Sequence, residues 1–295
     1  MSATNTVRVA EPPPIALTPT RSALTASRAA LRALILRDLT VLKKNFGEFV
    51  ARTLVQPFLL VFVFLYVFPT IGQGIGGSGN PATESRFATV LVPGVVAISI
   101  MFQGIQAVAM QMSTEFGYTR EIEDRVQAPC PIWLVAVAKV LSGAAQGIIA
   151  AVIVFPIAAV VHAPGVSAHL SVHWAVVLTI IPLASVAMSS LGLVLGTTFE
   201  PRNIGLMFGF VVLPLTFLGG TYYQWTKLAP VKLGSFHWLQ VLVLINPLIY
   251  VAEGMRAGLT DASHMPLYVI YPVLFGFCAV FLGIGLRNFR GRVLV

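Results

Sequence analysis

The chain has 295 residues, of which 57% are hydrophobic and only 10% are charged, and its mean hydropathy is +0.85. This composition excludes a soluble globular domain and predicts an integral membrane protein, because each bilayer crossing requires about 20 nearly uncharged residues. The net charge of +8 comes from basic residues that flank apolar runs without interleaved aromatic rings, which argues for contact with anionic lipid and against a nucleic-acid partner.

The amino-terminal segment 1–27 is rich in Pro, Thr, Ser and Ala, and is predicted to be a disordered cytoplasmic tail. Residues 28–50 carry apolar side chains at helical spacing, and a basic face is formed by Arg28, Arg32, Lys43 and Lys44. The pattern predicts an interfacial amphipathic helix on the inner membrane surface or, equally well, a helix packed on the protein's own cytoplasmic face. The remaining segment, 51–295, is predicted to form one transmembrane domain.

Six apolar runs are long enough to cross a bilayer, so the predicted fold class is an all-α integral membrane protein with six transmembrane helices. The runs cover residues 53–71, 88–112, 132–161, 174–199, 204–223 and 265–286. A further apolar piece at 239–250 is too short to cross alone. It is predicted to be an interfacial or re-entrant helical segment before the last span.

Lys and Arg residues are distributed unevenly over this layout. With the amino terminus inside, fifteen of them fall on inner segments, and the outer segments hold only Arg86, Lys227, Lys232 and Arg256. Positive flanks tend to remain in the cytoplasm. The sequence therefore predicts a multi-pass protein of the cell inner (plasma) membrane with both termini in the cytoplasm.

The stretch 115–129 is unusually rich in charge and lies between the second and third predicted spans. If it is helical, Tyr118, Ile122 and Val126 share one face at four-residue steps, and Pro129 ends the helix. The rest of the surface holds Arg120, Glu121, Glu123, Asp124 and Arg125. Such a short amphipathic helix is either a solvated loop cap or an element that docks on a soluble partner.

Three charged residues lie in or near apolar segments. Lys139 is one or two helical turns inside the third span and is predicted to snorkel to the inner surface. Glu253 and Arg256 are three residues apart and would be neighbours on a helix, as a structural pair or as part of a gate.

Signatures of catalysis are absent from the sequence. It contains no phosphate-binding loop, no marked set of metal ligands, and no serine or cysteine that can be tied to a base. We therefore expect no enzymatic activity and no cofactor or metal on this chain. Gly-x-x-x-Gly spacings at 143–147, 192–196 and 205–209 favour close helix packing, although this spacing is common by chance in glycine-rich apolar sequence.

Four sequence elements occur in a recognisable order. They are Thr89–Gly94, Asp124–Val126 followed by Pro129 and Pro131, Leu218–Tyr223, and Asn246–Tyr250 followed by Glu253 and Arg256. Together they resemble the membrane subunit of ABC type 2 transporters, particularly the daunorubicin-resistance-like exporter permeases. Two positions depart from that pattern, because Gln224-Trp225 replaces the usual proline and Glu253 stands where aspartate is more usual.

The resemblance implies a pair of permease subunits joined to two ATP-binding cassette subunits, which hold the ATP and Mg²⁺. It also implies that the charged stretch is a cytoplasmic coupling helix seated in a cleft of the ATPase. The coupling candidates are Tyr118, Arg120, Glu121, Ile122, Glu123, Asp124, Arg125, Val126 and Pro129. The candidates for a gate or substrate route are Pro93, Gly94, Thr221, Tyr222, Asn246, Pro247, Tyr250, Glu253 and Arg256.

The expected function is therefore the export of a hydrophobic or amphiphilic compound between two permease copies, along the first, second and fifth spans. Export of lipid-linked polysaccharide or another lipid is the nearest alternative, and a wide channel lined by aromatic rings would favour it. An intramembrane enzyme is a remote alternative because it would need polar catalytic groups at membrane depth. A membrane scaffold without transport would show no substrate dependence in a partner ATPase.

Overall fold

A computed structural model describes residues 23–73, 80–117, 131–231 and 236–293. The regular secondary structure within these ranges is helical, and they contain no β-strand. Four helices are α1 (Ala23–Lys44), α3 (Pro81–Gly117), α4 (Ile132–Val160) and α5 (Trp174–Thr198). Two further helices, α2 (Phe46–Thr70) and α6 (Pro201–Leu218), contain short π or 3₁₀ turns. The chain continues through α7 (Trp238–Val243), α8 (Pro247–Leu259) and α9 (Leu267–Val293).

Six of these helices, α2 to α6 and α9, are long and apolar enough to cross a membrane. The all-α class and the six predicted spans are confirmed, but several boundaries move. The fifth span ends at Leu218 instead of 223, because Gly219 and Gly220 follow and Gly220 has a φ of +67°. The last helix runs past 286 to Val293, where Arg290 and Arg292 in the last turn complement the negative end of the helix dipole.

The amino-terminal helix also differs from the prediction. Residues 23–27 are helical instead of part of a disordered tail, and α1 ends at Lys44, not at residue 50. Asn45 separates α1 from α2, which begins at Phe46 and continues directly into the first span. α1 packs against α4, which matches the alternative of a helix resting on the protein's own surface. Its placement at a lipid surface remains a prediction, and residues 1–22 lie outside the described ranges.

The centre of the molecule is α3, whose most apolar 18-residue window is 89% buried, against 17% for the corresponding window of α6. Glycines let the neighbouring helices approach it closely. A Cβ on Gly192 of α5 would lie 2.9 Å from Cα of Ile105, and a Cβ on Gly196 would lie 2.9 Å from Cα of Ala109. In contrast, a Cβ on Gly205 or Gly209 of α6 would meet no atom of another part of the chain within 4 Å. Only some of the predicted glycine spacings therefore serve packing within the chain.

Prolines explain the π turns in α2 and α6. Each turn ends two residues before a proline: Phe62–Val67 comes before Pro69, and Phe208–Val212 comes before Pro214. A proline ring crowds the carbonyl four residues earlier and cannot donate to it, so the helix widens there. The carbonyl of Leu65, four residues before Pro69, instead accepts a hydrogen bond of 2.8 Å from the backbone N–H of Ala163.

An even number of candidate spans places the start of α2 and the end of α9 at the same end of the helical bundle. We call this the amino-terminal side; the end of α3, the start of α4 and the α5–α6 connection also lie there. The opposite side carries α7 and α8, which lie between the last two spans and are too short to cross. Every residue of α8 is buried, so this helix forms part of the folded core on that side.

Candidate functional site

Three sequence-distant elements meet on the opposite side, in a region that we call the outer junction. It consists of Pro93-Gly94 in α3, the loop Gly219–Gln224 after α6, and helix α8. A Cβ on Gly94 would collide with the backbone carbonyl of Thr221, so only glycine permits this approach of the loop to α3. Cβ atoms on Gly219 and Gly220 would likewise collide with side chains of α8.

The Glu253–Arg256 ion pair lies at the centre of the outer junction. Both side chains are 0% exposed, and Nη1 of Arg256 donates to Oε1 of Glu253 at 2.9 Å. The guanidinium also donates from Nη2 to the carbonyls of Gly220 and Thr221, the latter at 3.3 Å. Gly220 and Thr221 belong to the loop that follows α6, so the Arg256 guanidinium holds this loop against α8.

The carboxylate of Glu253 holds two further backbone segments. Its Oε1 accepts from the N–H of Trp225 at 2.9 Å, and its Oε2 accepts from the N–H of Met265 at 2.8 Å. The pair thus connects the loop after α6 with the residues that lead into α9. Buried charges are stable only when paired and hydrogen-bonded, and this pair has partners on both sides.

Asn246 closes the junction from the other end of α8. Its side-chain Oδ1 accepts from the N–H of Leu248 at 2.9 Å, which caps the first turn of α8 next to Pro247. Its Nδ2 donates to the carbonyl of Leu215 at 2.7 Å, near the end of α6. One amide therefore fixes the end of α6 against the start of α8.

The two tyrosine candidates point to different neighbours. The ring of Tyr222 packs 5.7 Å from Phe64 of α2 and 6.3 Å from Phe217 of α6, measured between centroids. Tyr250 packs on Phe277 of α9 at 5.9 Å, and its hydroxyl donates to the carbonyl of Leu244. Burial raises the pKa of Tyr222 above its ordinary value, so this phenol is neutral at physiological pH.

A cavity of about 560 Å³ lies beside the outer junction. Its described lining combines aromatic and charged side chains, including Arg86, Phe87, Tyr222, Tyr223 and Lys227. Tyr222 is the one member of the nine gate candidates among the described lining residues. The structure therefore brings Pro93, Gly94, Thr221, Asn246, Pro247, Glu253 and Arg256 together as a packed junction and not as a cavity wall.

The amino-acid sequence also matches a known protein family. A family model described as ABC-2 type transporter matches residues 29–260. The chain belongs to the ABC-2 type transporter family. It is also 30% identical over 236 residues to the inner membrane transport permease YadH of Escherichia coli (strain K12), covering 78% of this chain and 84% of the relative. YadH of Shigella flexneri gives the same values.

As a member of this family, the chain is a membrane permease of an ABC transporter, and the family implies an ATP-binding cassette partner. The match includes α1 from residue 29 onwards, all elements of the outer junction and every span except α9. The inferred resemblance to ABC type 2 transporters is confirmed by it. The permease's expected coupling candidates, Tyr118 to Pro129, lie outside the described residues, so their arrangement remains a prediction.

The structure does describe the two ends of the permease's predicted coupling segment. α3 ends at Gly117, and a Cβ there would lie 2.5 Å from Cγ of Pro201 at the start of α6. α4 begins at Ile132 after Pro131. The two connections on the amino-terminal side of the permease are therefore in direct contact at Gly117.

The prediction that Lys139 snorkels is wrong. This residue is 3% exposed, and its ammonium group lies 2.8 Å from Oε1 of Glu115 in α3 and 3.5 Å from Oδ2 of Asp38 in α1. It also donates to Oε1 of Gln111 at 3.3 Å. The buried cation joins three helices near the start of the coupling segment, because two carboxylates from other helices meet it inside the fold.

Sequence reasoning also missed a polar crevice between α2 and α3 of the permease. Nε2 of Gln103 donates to Oγ1 of Thr53, beside a small cavity of about 90 Å³ that Gln56 and Gln106 also line. Arg52 belongs to this lining and to that of a second polar cavity of about 210 Å³ closer to α1. The glutamines inside two apolar runs were the available signal, since polar side chains at membrane depth are costly.

Proposed function

We propose that this chain is the transmembrane permease subunit of an ATP-driven exporter that moves a hydrophobic or amphiphilic compound, drug-like or lipid-like, out of the cytoplasm. The permease pairs with a second copy or with a related permease, and two separate ATP-binding cassette subunits bind ATP and Mg²⁺. The protein lies in the inner (plasma) membrane with both termini in the cytoplasm. The similarity to the inner membrane transport permease YadH and the excess of basic residues on the amino-terminal side support this placement.

The polar crevice carries the proposal. Gln56 is exposed and lies three residues inside the first predicted span, 53–71, about 5 Å along the helix axis from its amino-terminal end. An exposed amide at that depth requires a protein neighbour or water, since lipid offers no hydrogen bond. This face of α2 and α3 is therefore proposed to face the second permease, with the substrate route between the two copies.

The two ends of the proposed route differ in this structure. On the amino-terminal side, Arg52 lines both the crevice and the second polar cavity. On the opposite side, the outer junction closes the chain around the Glu253–Arg256 pair. A transporter needs two states with different contacts. We propose that ATP binding on the partner, passed through the coupling segment 118–129, rearranges the outer junction and opens the cavity beside it.

The lining of the proposed route supports an amphiphilic substrate. The crevice offers amides and hydroxyls beside Phe102 and Pro57, and the outer cavity offers charged side chains of both signs beside aromatic rings. Export of a lipid-linked polysaccharide remains the second candidate, because three aromatic side chains, Phe87, Tyr222 and Tyr223, line the outer cavity. Sugar rings pack well on aromatic faces. A purely apolar compound, in contrast, would not need the charged side chains that line this cavity.

Reconstituted transport tests the proposal. The permease and its ATP-binding partner are placed in proteoliposomes, and ATP-dependent movement of fluorescent amphiphiles and of a lipid-linked oligosaccharide is measured. Gln56→Leu should reduce movement of the true substrate by about tenfold, equivalent to ~1.4 kcal/mol, without loss of assembly. The matched control is Gln73→Leu, which removes an exposed glutamine just beyond the end of α2.

The outcomes separate the alternatives. Movement of the amphiphile alone supports the first proposal, and movement of the oligosaccharide alone supports the second. Equal transport by Gln56→Leu, Gln73→Leu and the unchanged permease would contradict the assigned route. ATP hydrolysis that no added compound stimulates, with nothing moved, would indicate a scaffold.

A further inference from the structure

A second large cavity lies on the amino-terminal side, at the level where α4 begins and α9 ends. It has a volume of about 680 Å³, and its described lining is Pro131, Ile132, Trp133, Leu286, Arg287, Phe289 and Arg290. It is separate from the crevice and from the outer junction, with which it shares no lining residue among those described. The volume is in the range of small-molecule binding sites. We call it the α4–α9 groove.

Two arginines give the groove a concentrated positive charge. Arg287 and Arg290 are three residues apart, so they are neighbours on one face of α9, and both are exposed. Within the described ranges, no acidic side chain pairs with either of them. Arg292, in comparison, lies over the ring of Phe116 at 5.5 Å and is already engaged inside the protein.

The rest of the groove is apolar and continues along the membrane. Trp133 is 54% exposed at the start of α4, and indole rings favour the interface between headgroups and hydrocarbon. Towards the membrane centre, Leu141 of α4 is exposed on the same helical face, two steps of four residues away. On α9, Val280 and Ile284 are exposed on the face that leads to Arg287.

We propose that the α4–α9 groove binds an anionic phospholipid from the leaflet on the amino-terminal side. Guanidinium groups hold a phosphate by paired, charge-assisted hydrogen bonds, and two of them favour a headgroup without its own cation. Basic pockets between transmembrane helices are a recognised setting for such headgroups. The acyl chains lie along the exposed apolar stripes. This site is independent of the proposed transport route.

A soluble phosphate compound fits the groove less well. It would use the arginines but would leave the exposed indole and the stripes of Leu141, Val280 and Ile284 without an apolar partner. A zwitterionic lipid would cover the stripes but would bring a cation close to two guanidinium groups. Only an anionic lipid satisfies both the charge and the apolar surface.

Quenching of Trp133 fluorescence tests the proposal. The other three tryptophans, Trp174, Trp225 and Trp238, lie on the opposite side, so the quenching lost in Trp133→Phe reports on the groove. The full-length permease is placed in phosphatidylcholine nanodiscs, and brominated phosphatidylglycerol or brominated phosphatidylcholine is titrated in. We expect about a tenfold preference for phosphatidylglycerol, weakened at high salt.

Matched variants separate the groove from general surface charge. Arg287→Gln/Arg290→Gln should abolish the preference, whereas Arg287→Lys/Arg290→Lys should retain part of it. Arg202→Gln should leave it unchanged, because Arg202 is exposed on the same side but lies 2.6 Å from Glu200, outside the groove. Size-exclusion profiles identical to that of the unchanged permease confirm folding.

Three results would overturn the proposal. One is equal quenching of Trp133 by the two brominated lipids. Another is a preference for phosphatidylglycerol that persists in Arg287→Gln/Arg290→Gln, or one that dissolved glycerol phosphate abolishes as effectively as added lipid does. The third is complete loss of lipid quenching when the ATP-binding subunit is added, because the groove would then be a protein interface.

Discussion

Glu253 and Arg256 illustrate how one ion pair can organise a segment that has little regular structure. The loop after α6 has carbonyls that no helix satisfies. Arg256 donates hydrogen bonds to them, and Glu253 is its counter-ion. The two side chains are completely enclosed. Loss of either partner would leave a charge without water and without compensation.

Replacing Arg256 by Gln is expected to lower the free energy of unfolding by about 3–5 kcal/mol, because Glu253 would remain buried without its cation. The double variant Glu253→Gln/Arg256→Gln should recover part of this loss, since it buries no net charge. The midpoint of thermal unfolding of the detergent-purified permease measures both effects.

An exposed pair on the other side of the molecule provides the control. Nε of Arg202 lies 2.6 Å from Oε2 of Glu200, with both side chains more than half exposed. Arg202→Gln should therefore cost no more than about 1 kcal/mol. If Arg202→Gln and Arg256→Gln have the same thermal midpoint, the buried pair has no structural role.

At the scale of whole helices, Lys139 links α1 to the membrane-spanning bundle. Its ammonium contacts Asp38 of α1 and Glu115 of α3 while its own backbone belongs to α4. Glu115 is three residues before Tyr118, where the predicted coupling segment begins. The position of α1 and the end of α3 therefore depend on the same cation.

We predict that Lys139→Met releases α1 from the bundle, because two buried carboxylates lose the charge that joins them. Hydrogen exchange of the α1 amides should accelerate by at least about tenfold, equivalent to ~1.4 kcal/mol of local opening. Lys43→Met, which removes an exposed cation of the same helix, should leave the exchange unchanged. Identical exchange in α1 for both variants would exclude Lys139 as the link.

For the whole molecule, transport depends on the transfer of work between two sides of the membrane. The crevice and Lys139 lie towards the amino-terminal side, whereas the outer junction lies on the opposite side. α3 connects them: it contains Gly94 at the junction, Gln103 in the crevice and Glu115 beside Lys139. A displacement of the end of α3 near the coupling segment would therefore move residues at all three places.

Charge reversal at Glu121 and Asp124 is predicted to detach or uncouple the ATP-binding subunit while the permease stays folded. Both residues belong to the charged side of the coupling segment, which is proposed to contact the partner. Co-purification and substrate-stimulated ATP hydrolysis are the two measurements. Lys44→Glu, an exposed charge reversal at the end of α1 and outside the coupling segment, is the control. Unchanged assembly together with unchanged stimulated hydrolysis in the double variant would refute the coupling role.

Some features of the fold followed directly from local sequence. Hydropathy predicts the six spans because a bilayer demands about 20 apolar residues in a row, whatever the helix later packs against. The boundary errors have local causes as well. Asn45 separates α1 from α2, but the chain is helical again from Phe46, and Gly219-Gly220 ends α6, but the aromatic residues Tyr222 and Tyr223 follow and extend the apolar run.

The roles of individual charged and polar side chains did not follow in this way. The sequence by itself determined the membrane class, the number of spans and the family resemblance, because these depend on composition and on short ordered motifs. Only the tertiary structure decided that Lys139 is buried, that Glu253 and Arg256 hold backbone segments together, and that glutamines of α2 and α3 share a crevice. The partners of these groups come from distant parts of the chain, and a charge is buried or solvated according to what folds around it.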